Sequence, residues 1–299
     1  MYQPTNTHIL VPEFEYERPE TLDQVFSLLE EHGATARLIA GGTDILVQMK
    51  LERTAPACLI SLDRVEELGG IADDDGLVIG ATTAIRNLAA CETARRGYAA
   101  LVEACRSFST TTISVMGTVG GNLCNASPAA DTTPPLLVFD ASAIVVSRQG
   151  ERRLPLKEFF TGPGETALGK GEILRAVRLA VPAPGMASAF LKIARVEADI
   201  AKVNAAVALT RDGRQVAQVA IALGAVAPVP MRTRRAEAAL AGRVFDSAAL
   251  AEAMQLVEEE IASITDVRAT AEYRRHASGV IVRDALRTAW RRAGGGEPQ

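Results

Sequence analysis

The chain has 299 residues, 48% of them hydrophobic, with 32 Lys and Arg against 36 Asp and Glu, for a formal net charge of -4. That is enough apolar material for one large core or two modest ones, and the length favours two domains. The acidic balance, with no clustered basic patch, argues against a nucleic-acid partner, whose phosphates are bound by grouped Lys and Arg.

The opening residues "MYQPTNTHILVPEFEYERPE" lack a basic start followed by an apolar run, so no secretory signal is predicted. No window approaches the roughly 20 apolar residues of a membrane span. Cys58, Cys91, Cys105 and Cys124 are dispersed and form no C-x-x-C pair. Their spacing predicts neither a disulfide framework nor a metal site, and it fits a cytoplasmic protein. His8, His32 and His276 are isolated in sequence. No catalytic side chain and no metal ligand is assigned, and any chemistry is expected from a bound organic cofactor.

In chain order, "EFEYERP" reads as a short strand, and "TLDQVFSLLEEHG" as a helix capped by Thr21 and stopped at Gly33. "ARLIAGGTDILVQMK" reads as strand, glycine turn and short helix. "ACLISL" and "GLVIGATT" are predicted strands, and residues 84–108 one or two helices. "DTTPPLLVFDA" holds a short helix, and "SAIVVSRQGERRLPL" a hairpin turning at Gln149 and Gly150. Past Pro182 and Pro184 the texture changes to strands with a turn at Asp212 and Gly213, then to helix. A domain boundary is placed near residue 180.

Two glycine pairs stand out, "IAGGTDI" at 39–45 and "GTVGGNLCN" at 117–125. Glycine lets backbone N–H groups approach an anion closely and adopts the positive φ that a nest of amides requires. Neither spacing is that of a Rossmann fingerprint or a P-loop. Either pair alone reads as a tight turn. Two of them, flanked by Thr43 and Thr118 in a stretch without charge, fit a buried dinucleotide whose pyrophosphate takes amides and hydroxyls. Asp131 then suits a ribose hydroxyl better than a phosphate, which it would repel.

"LIAGGTDI", followed by "MGTVGGNLCNASPAADTTPPLL", "GEIL", "FLKIARVEADIAKVNAAVAL", "GAVAPVPMR" and "DVRATAEYRR", resembles the FAD-binding medium subunit of the molybdenum hydroxylases, across nearly the whole chain. The resemblance implies an α+β protein: a flavin-binding domain of the vanillyl-alcohol-oxidase (PCMH) class at 1–180, with subdomains 1–60 and 61–180, then a smaller α/β domain at 181–299. By the same resemblance FAD is bound by Leu38, Ile39, Ala40, Gly41, Gly42, Thr43, Asp44 and Ile45 of the first motif and by Thr118, Val119, Gly120, Gly121 and Asn122 of the second. Phe108, Asp131, Leu174 and Lys192 are implied as further contacts, and Ile200 as the residue beside the flavin ring. Ser114 and Val115 stand where many relatives carry Arg and Asn.

The resemblance also implies partners: a large molybdopterin subunit and a small subunit with two [2Fe-2S] clusters, assembled as a dimer of heterotrimers. Electrons would pass from the clusters through FAD to an external acceptor. A stand-alone flavoenzyme of the same fold, or a non-catalytic nucleotide-binding module, is the alternative.

Overall fold

A computed structural model describes residues 13–296, so His8 and the opening stretch lie outside the described residues. The first layer is a parallel sheet of β1 (Glu15–Glu17), β2 (Ala36–Ile39) and β3 (Cys58–Ser61), in the order β1-β3-β2. Between β1 and β2 runs α1 (Leu22–His32), whose N-cap Thr21 accepts a hydrogen bond from the Gln24 amide. Gly33 ends the helix at φ 54°, and its N–H donates to the Leu29 carbonyl. Val25 and Phe26 of α1 pack on Ala36, Cys58 and Ile60, the helix covering one face of the small sheet. The short α2 (Ile45–Lys50) follows the first glycine turn.

An antiparallel sheet comes next. Its strands are β4 (Ile71–Asp73), β5 (Leu77–Gly80), β6 (Ser142–Ser147), β7 (Gly150–Pro155) and, after the small hairpin β8 (Phe160–Gly162) and β9 (Glu165–Thr166), β10 (Ile173–Leu179). The order is β4-β5-β10-β6-β7. Residues 84–108 break into three helices where one or two are predicted: α3 (Ile85–Ala90), α4 (Glu92–Gly97) and α5 (Ala99–Arg106). Extended backbone at Cys91 separates α3 from α4, and Tyr98, also off helical geometry, separates α4 from α5. Three further short helices, α6 (Thr111–Met116), α7 (Val119–Cys124) and α8 (Thr133–Val138), carry the uncharged stretch. All six residues of α8 are buried, as expected of a helix that is apolar all round.

The last part is an antiparallel sheet of β11 (Ala187–Ile193), β12 (Val203–Asp212), β13 (Gln215–Gly224) and β14 (Met231–Arg232), in that order, with α9 (Arg234–Leu240), α10 (Ser247–Glu260) and α11 (Ala271–Arg292). The hairpin between β12 and β13 turns at Asp212 and Gly213, as read from sequence, with Gly213 at φ 55°. Strand alternation sorts two different faces. Val207, Leu209, Ile221 and Leu223 point to the three helices, whereas Phe190, Ala206, Ala208, Ala220 and Ala222 join the core built on α5 and α8. The mostly small side chains of the second face let the sheet lie close against the N-terminal region. Polar ties hold that seam: the Ala100 amide donates to Ser188 Oγ at 3.0 Å, and the Phe190 amide to Glu103 Oε2 at 2.8 Å.

Candidate cofactor-binding site

The first glycine turn leaves the end of β2 and enters α2. Gly42 has φ +71°, a conformation that residues with a Cβ avoid. A Cβ on Gly41 would lie 1.8 Å from the carbonyl oxygen of Met116, so the end of α6 sits directly on this glycine. Among the described residues, the amides of Gly41, Gly42, Thr43 and Asp44 donate to no protein acceptor; the next amide engaged along the chain is that of Leu46, on the Gly42 carbonyl at 3.2 Å. Four successive unspent donors are an anion-binding concavity, and leaving such groups dry and unpaired would cost about 1–3 kcal/mol each.

The second turn is built otherwise. The Val119 amide donates to Thr83 O at 3.0 Å, Gly120 to Ala81 O at 2.8 Å and Asn122 to Thr118 O at 3.0 Å. The Gly121 amide is capped by Thr118 Oγ1 at 3.0 Å. The second turn thus spends the amides of Val119 to Asn122 inside the protein, while the Thr118 amide donates to no protein acceptor among the described residues. Its glycines provide proximity instead. A Cβ on Gly120 would come within 2.5 Å of the Ala81 Cβ, which fixes α7 against the chain leaving β5. A Cβ on Gly121 would meet Thr118 Oγ1 alone, at 2.9 Å, on the open side.

Between the turns lies a cavity of about 200 Å³. That is below the roughly 300 Å³ at which pockets for whole drug-sized ligands begin, and it suits a diphosphate whose attached groups run along the open side. All eight first-motif residues from Leu38 to Ile45 line it, as do Phe108, Thr118, Gly121 and Asn122. Val119 and Gly120 are buried behind it. Gly117, whose Cβ would lie 3.5 Å from the Phe108 ring and 3.7 Å from Thr43 Oγ1, joins the two walls. Asp44 is the only charged residue of the lining.

Gln48, Cys124 and Asn125 also line the cavity, and sequence reasoning missed them. Asn125 Nδ2 donates to Asp44 Oδ1 at 3.0 Å, and Gln48 Nε2 donates to Asn125 Oδ1 at 3.3 Å. This chain of amides ties the first motif to the segment after α7 and occupies one oxygen of the one anionic side chain at the mouth. The signal was present as two polar residues, one in each motif's trailing helix, but nothing in the spacing says that they meet. Thr132 Oγ1 donates to Asn122 Oδ1 at 2.7 Å, which turns the Asn122 NH₂ away from Thr132.

Asp131, Leu174, Lys192 and Ile200 are not among the residues that line this cavity. Asp131 is buried, and both its oxygens are engaged: Lys192 Nζ donates to Oδ2 at 2.9 Å and Asn204 Nδ2 to Oδ1 at 2.8 Å. Lys192 Nζ also donates to the Ser107 carbonyl at 2.7 Å. Burial pushes the Asp131 carboxyl above its ordinary range, against the pull of Lys192 and Asn204. Asp131 and Lys192 thus pair across the seam between the N-terminal region and the last sheet. Leu174 is buried in β10. Ile200 is exposed and lines a separate hollow with Arg195, Asp199, Lys202, Val267 and Arg268.

A glycine turn with free amides, closed by an uncharged helical segment and followed by a second sheet domain, defines a protein that binds an anionic dinucleotide. Comparison with known proteins specifies it. The family model described as the FAD binding domain in molybdopterin dehydrogenase matches residues 12–184, and that of the CO dehydrogenase flavoprotein C-terminal domain matches residues 188–289. The carbon monoxide dehydrogenase medium chain of Hydrogenophaga pseudoflava is 30% identical, over 95% of this chain and 99% of its own length. The xanthine dehydrogenase FAD-binding subunit of Escherichia coli O157:H7 is 31% identical, over 94% and 97%. A solved structure of carbon monoxide dehydrogenase from H. pseudoflava superposes with a TM-score of 0.92 at 31% identity, over 95% of this chain and 99% of that one.

The chain therefore belongs to the family of FAD-binding subunits of molybdenum-containing dehydrogenases. It is an oxidoreductase subunit whose cofactor is FAD, and the cradle fits that cofactor: unspent amides and glycine surfaces.

Proposed function

We propose that Gly41, Gly42, Thr43 and Asp44 hold the FAD pyrophosphate through their amides, and that Gly121, Thr118 and Asn122 form the opposite wall. The observation that carries this is the run of four amides without a protein acceptor beside a glycine-lined cavity. Phe108 flanks the cofactor, Asp131 and Lys192 hold the two halves of the chain in register around it, and Leu174 backs the sheet behind it. When bound, FAD relays electrons between the [2Fe-2S] clusters of a small partner subunit and an external acceptor, the substrate being oxidised at molybdopterin on a large partner subunit.

The protein's own contribution is to bind, orient and shield. The parallel three-stranded sheet and the antiparallel five-stranded sheet support a PCMH-type fold with subdomains at 1–60 and 61–180. The third sheet and its helices support a C-terminal domain at 181–299. The assembly is a dimer of heterotrimers in the cytoplasm. None of the described helices is long and apolar enough to cross a membrane.

Purification of the chain together with the proteins it binds tests this reading. The expected result is flavin in stoichiometric amount, bleached by a reductant and restored by an acceptor, with molybdenum and iron in the co-purifying chains. A protein that stays colourless after incubation with FAD would overturn it.

A further inference from the structure

The dispersed cysteines and histidines suggest no metal site in the sequence, but the fold gathers three ligand types at one place. Glu15 on β1 is the register partner of Cys58 on β3, and paired residues of neighbouring strands project to the same side of a sheet. His32, the last residue of α1, reaches the same point from the helix that covers that face. The carboxylate, imidazole and thiol ligand atoms all lie within 4.8 Å of one another.

We propose that Glu15, His32 and Cys58 form a zinc site on this chain, with Zn²⁺ held by one oxygen, one nitrogen and one sulfur and a solvent molecule in the fourth position. The ligand set is the mixed S, N and O donor type that suits Zn²⁺, whereas Mg²⁺ and Ca²⁺ take oxygen donors. The His32–Glu15 separation agrees. His32 Nδ1 and Glu15 Oε2 are 3.7 Å apart, too long for a hydrogen bond and near the about 3.4 Å that separates two ligands on a tetrahedral Zn²⁺ with ordinary bond lengths.

The surroundings favour a cation. Glu17, Glu15 and Glu31 place negative charge near Cys58. Zinc binding displaces the thiol proton to solvent and forms the Zn–S bond. The Glu15 side chain is largely exposed, while Cys58 is fully buried. β1 is an edge strand of three residues, and the metal fastens it and the end of α1 to the central strand β3.

Equilibrium dialysis of metal-stripped full-length protein against Zn²⁺, with elemental analysis, gives the stoichiometry. Co²⁺ substitution, read as a difference spectrum against metal-free protein of equal flavin content, gives the ligand type. The expected result is one Zn²⁺ per chain, a thiolate-to-cobalt charge-transfer band, and an unfolding midpoint raised by Zn²⁺ but not by Mg²⁺. Glu15→Gln and His32→Ala, which change exposed or half-buried groups, should each weaken binding by at least about tenfold and leave flavin content unchanged. Cys58→Ser should abolish the charge-transfer band; should it fail to fold, the other two variants still decide. Absence of the band in the wild-type protein, or Zn²⁺ affinity unchanged in His32→Ala, overturns the site. Flavin content serves as the separate readout, so loss of the zinc site and loss of the FAD reading are distinguishable.

Discussion

The two glycine pairs look alike on paper and do different work. At Gly41–Gly42 the backbone spends none of its donors on the protein, and the turn is held by a positive φ and by the end of α6 pressing on Gly41. At Gly120–Gly121 the amides from Val119 to Asn122 are satisfied within the protein, and the glycines serve packing on one side and an open floor on the other. A glycine pair thus marks a place where backbone must come close to something. Whether that something is a ligand or another strand is decided by where the N–H groups go.

The largest test of this difference lies at Asp131, the first charged residue after the second turn. If Asp131 serves the protein, Lys192→Met strands a buried carboxylate and should cost about 3–5 kcal/mol near neutral pH, read by urea unfolding of flavin-free protein. The pH dependence has a defined sign. The folded-state pKa of Asp131 is raised by burial, so its contribution favours the fold below the unfolded value and is lost as pH rises through the folded one. Removing Lys192 takes away a group that pulls that pKa down, and the deficit of the variant should widen toward neutral pH and shrink in acid. A variant of normal flavin-free stability at all pH values would return Asp131 to the ligand.

Next in size is Gly120→Ala. Its added Cβ meets Ala81 backbone atoms at 2.7 and 2.8 Å, and overpacking of this kind costs about 1–3 kcal/mol with or without flavin. Gly121→Ala faces the cavity, meets only the capping Thr118 hydroxyl, and should cost less flavin-free stability than Gly120→Ala while weakening FAD. Equal losses in both would erase the distinction between the buried and open glycines. Gly42→Ala should raise the FAD dissociation constant at least about tenfold, or 1.4 kcal/mol, measured by flavin fluorescence titration. An unchanged constant would mean that the free amides are not the cradle. Smallest is Asn125→Ala, which removes the two side-chain bonds to Asp44 and Gln48 and should cost about 1 kcal/mol of flavin-free stability.

Much of the architecture was legible in sequence because it is locally encoded. Thr21 and Gly33 bound α1, Asp212 and Gly213 turn a hairpin, and of the every-fourth-residue stripe Tyr273, Ala277, Ile281, Ala285 and Ala289, all but the exposed Tyr273 lie on the buried face of α11. The first glycine motif was legible for the same reason, since its eight consecutive residues form one wall. What was not legible depends on partners far along the chain. Lys192 and Asp131 stand 61 positions apart, and Asn125 and Asp44 stand 81 apart. No period or cap reports such pairs. The spent amides of the second turn were hidden too, because the acceptors are carbonyls of residues 81 and 83, and every residue has a carbonyl.

Residues 124–130 gain a meaning from their bonds. Asn125 reaches Asp44, the Ala126 carbonyl accepts from the Gly164 amide at 3.0 Å, and the Pro128 carbonyl accepts from the Ala225 amide at 2.7 Å. One short segment thus touches the first motif, the small hairpin of the N-terminal region and the end of β13 in the last sheet. Such a segment reaches its final form only after all three have arrived, and contacts so distant in sequence are slow to form. Flavin capture should therefore be a late event in the maturation of the chain, and a molecule that has taken up its cofactor is one whose C-terminal half has already docked.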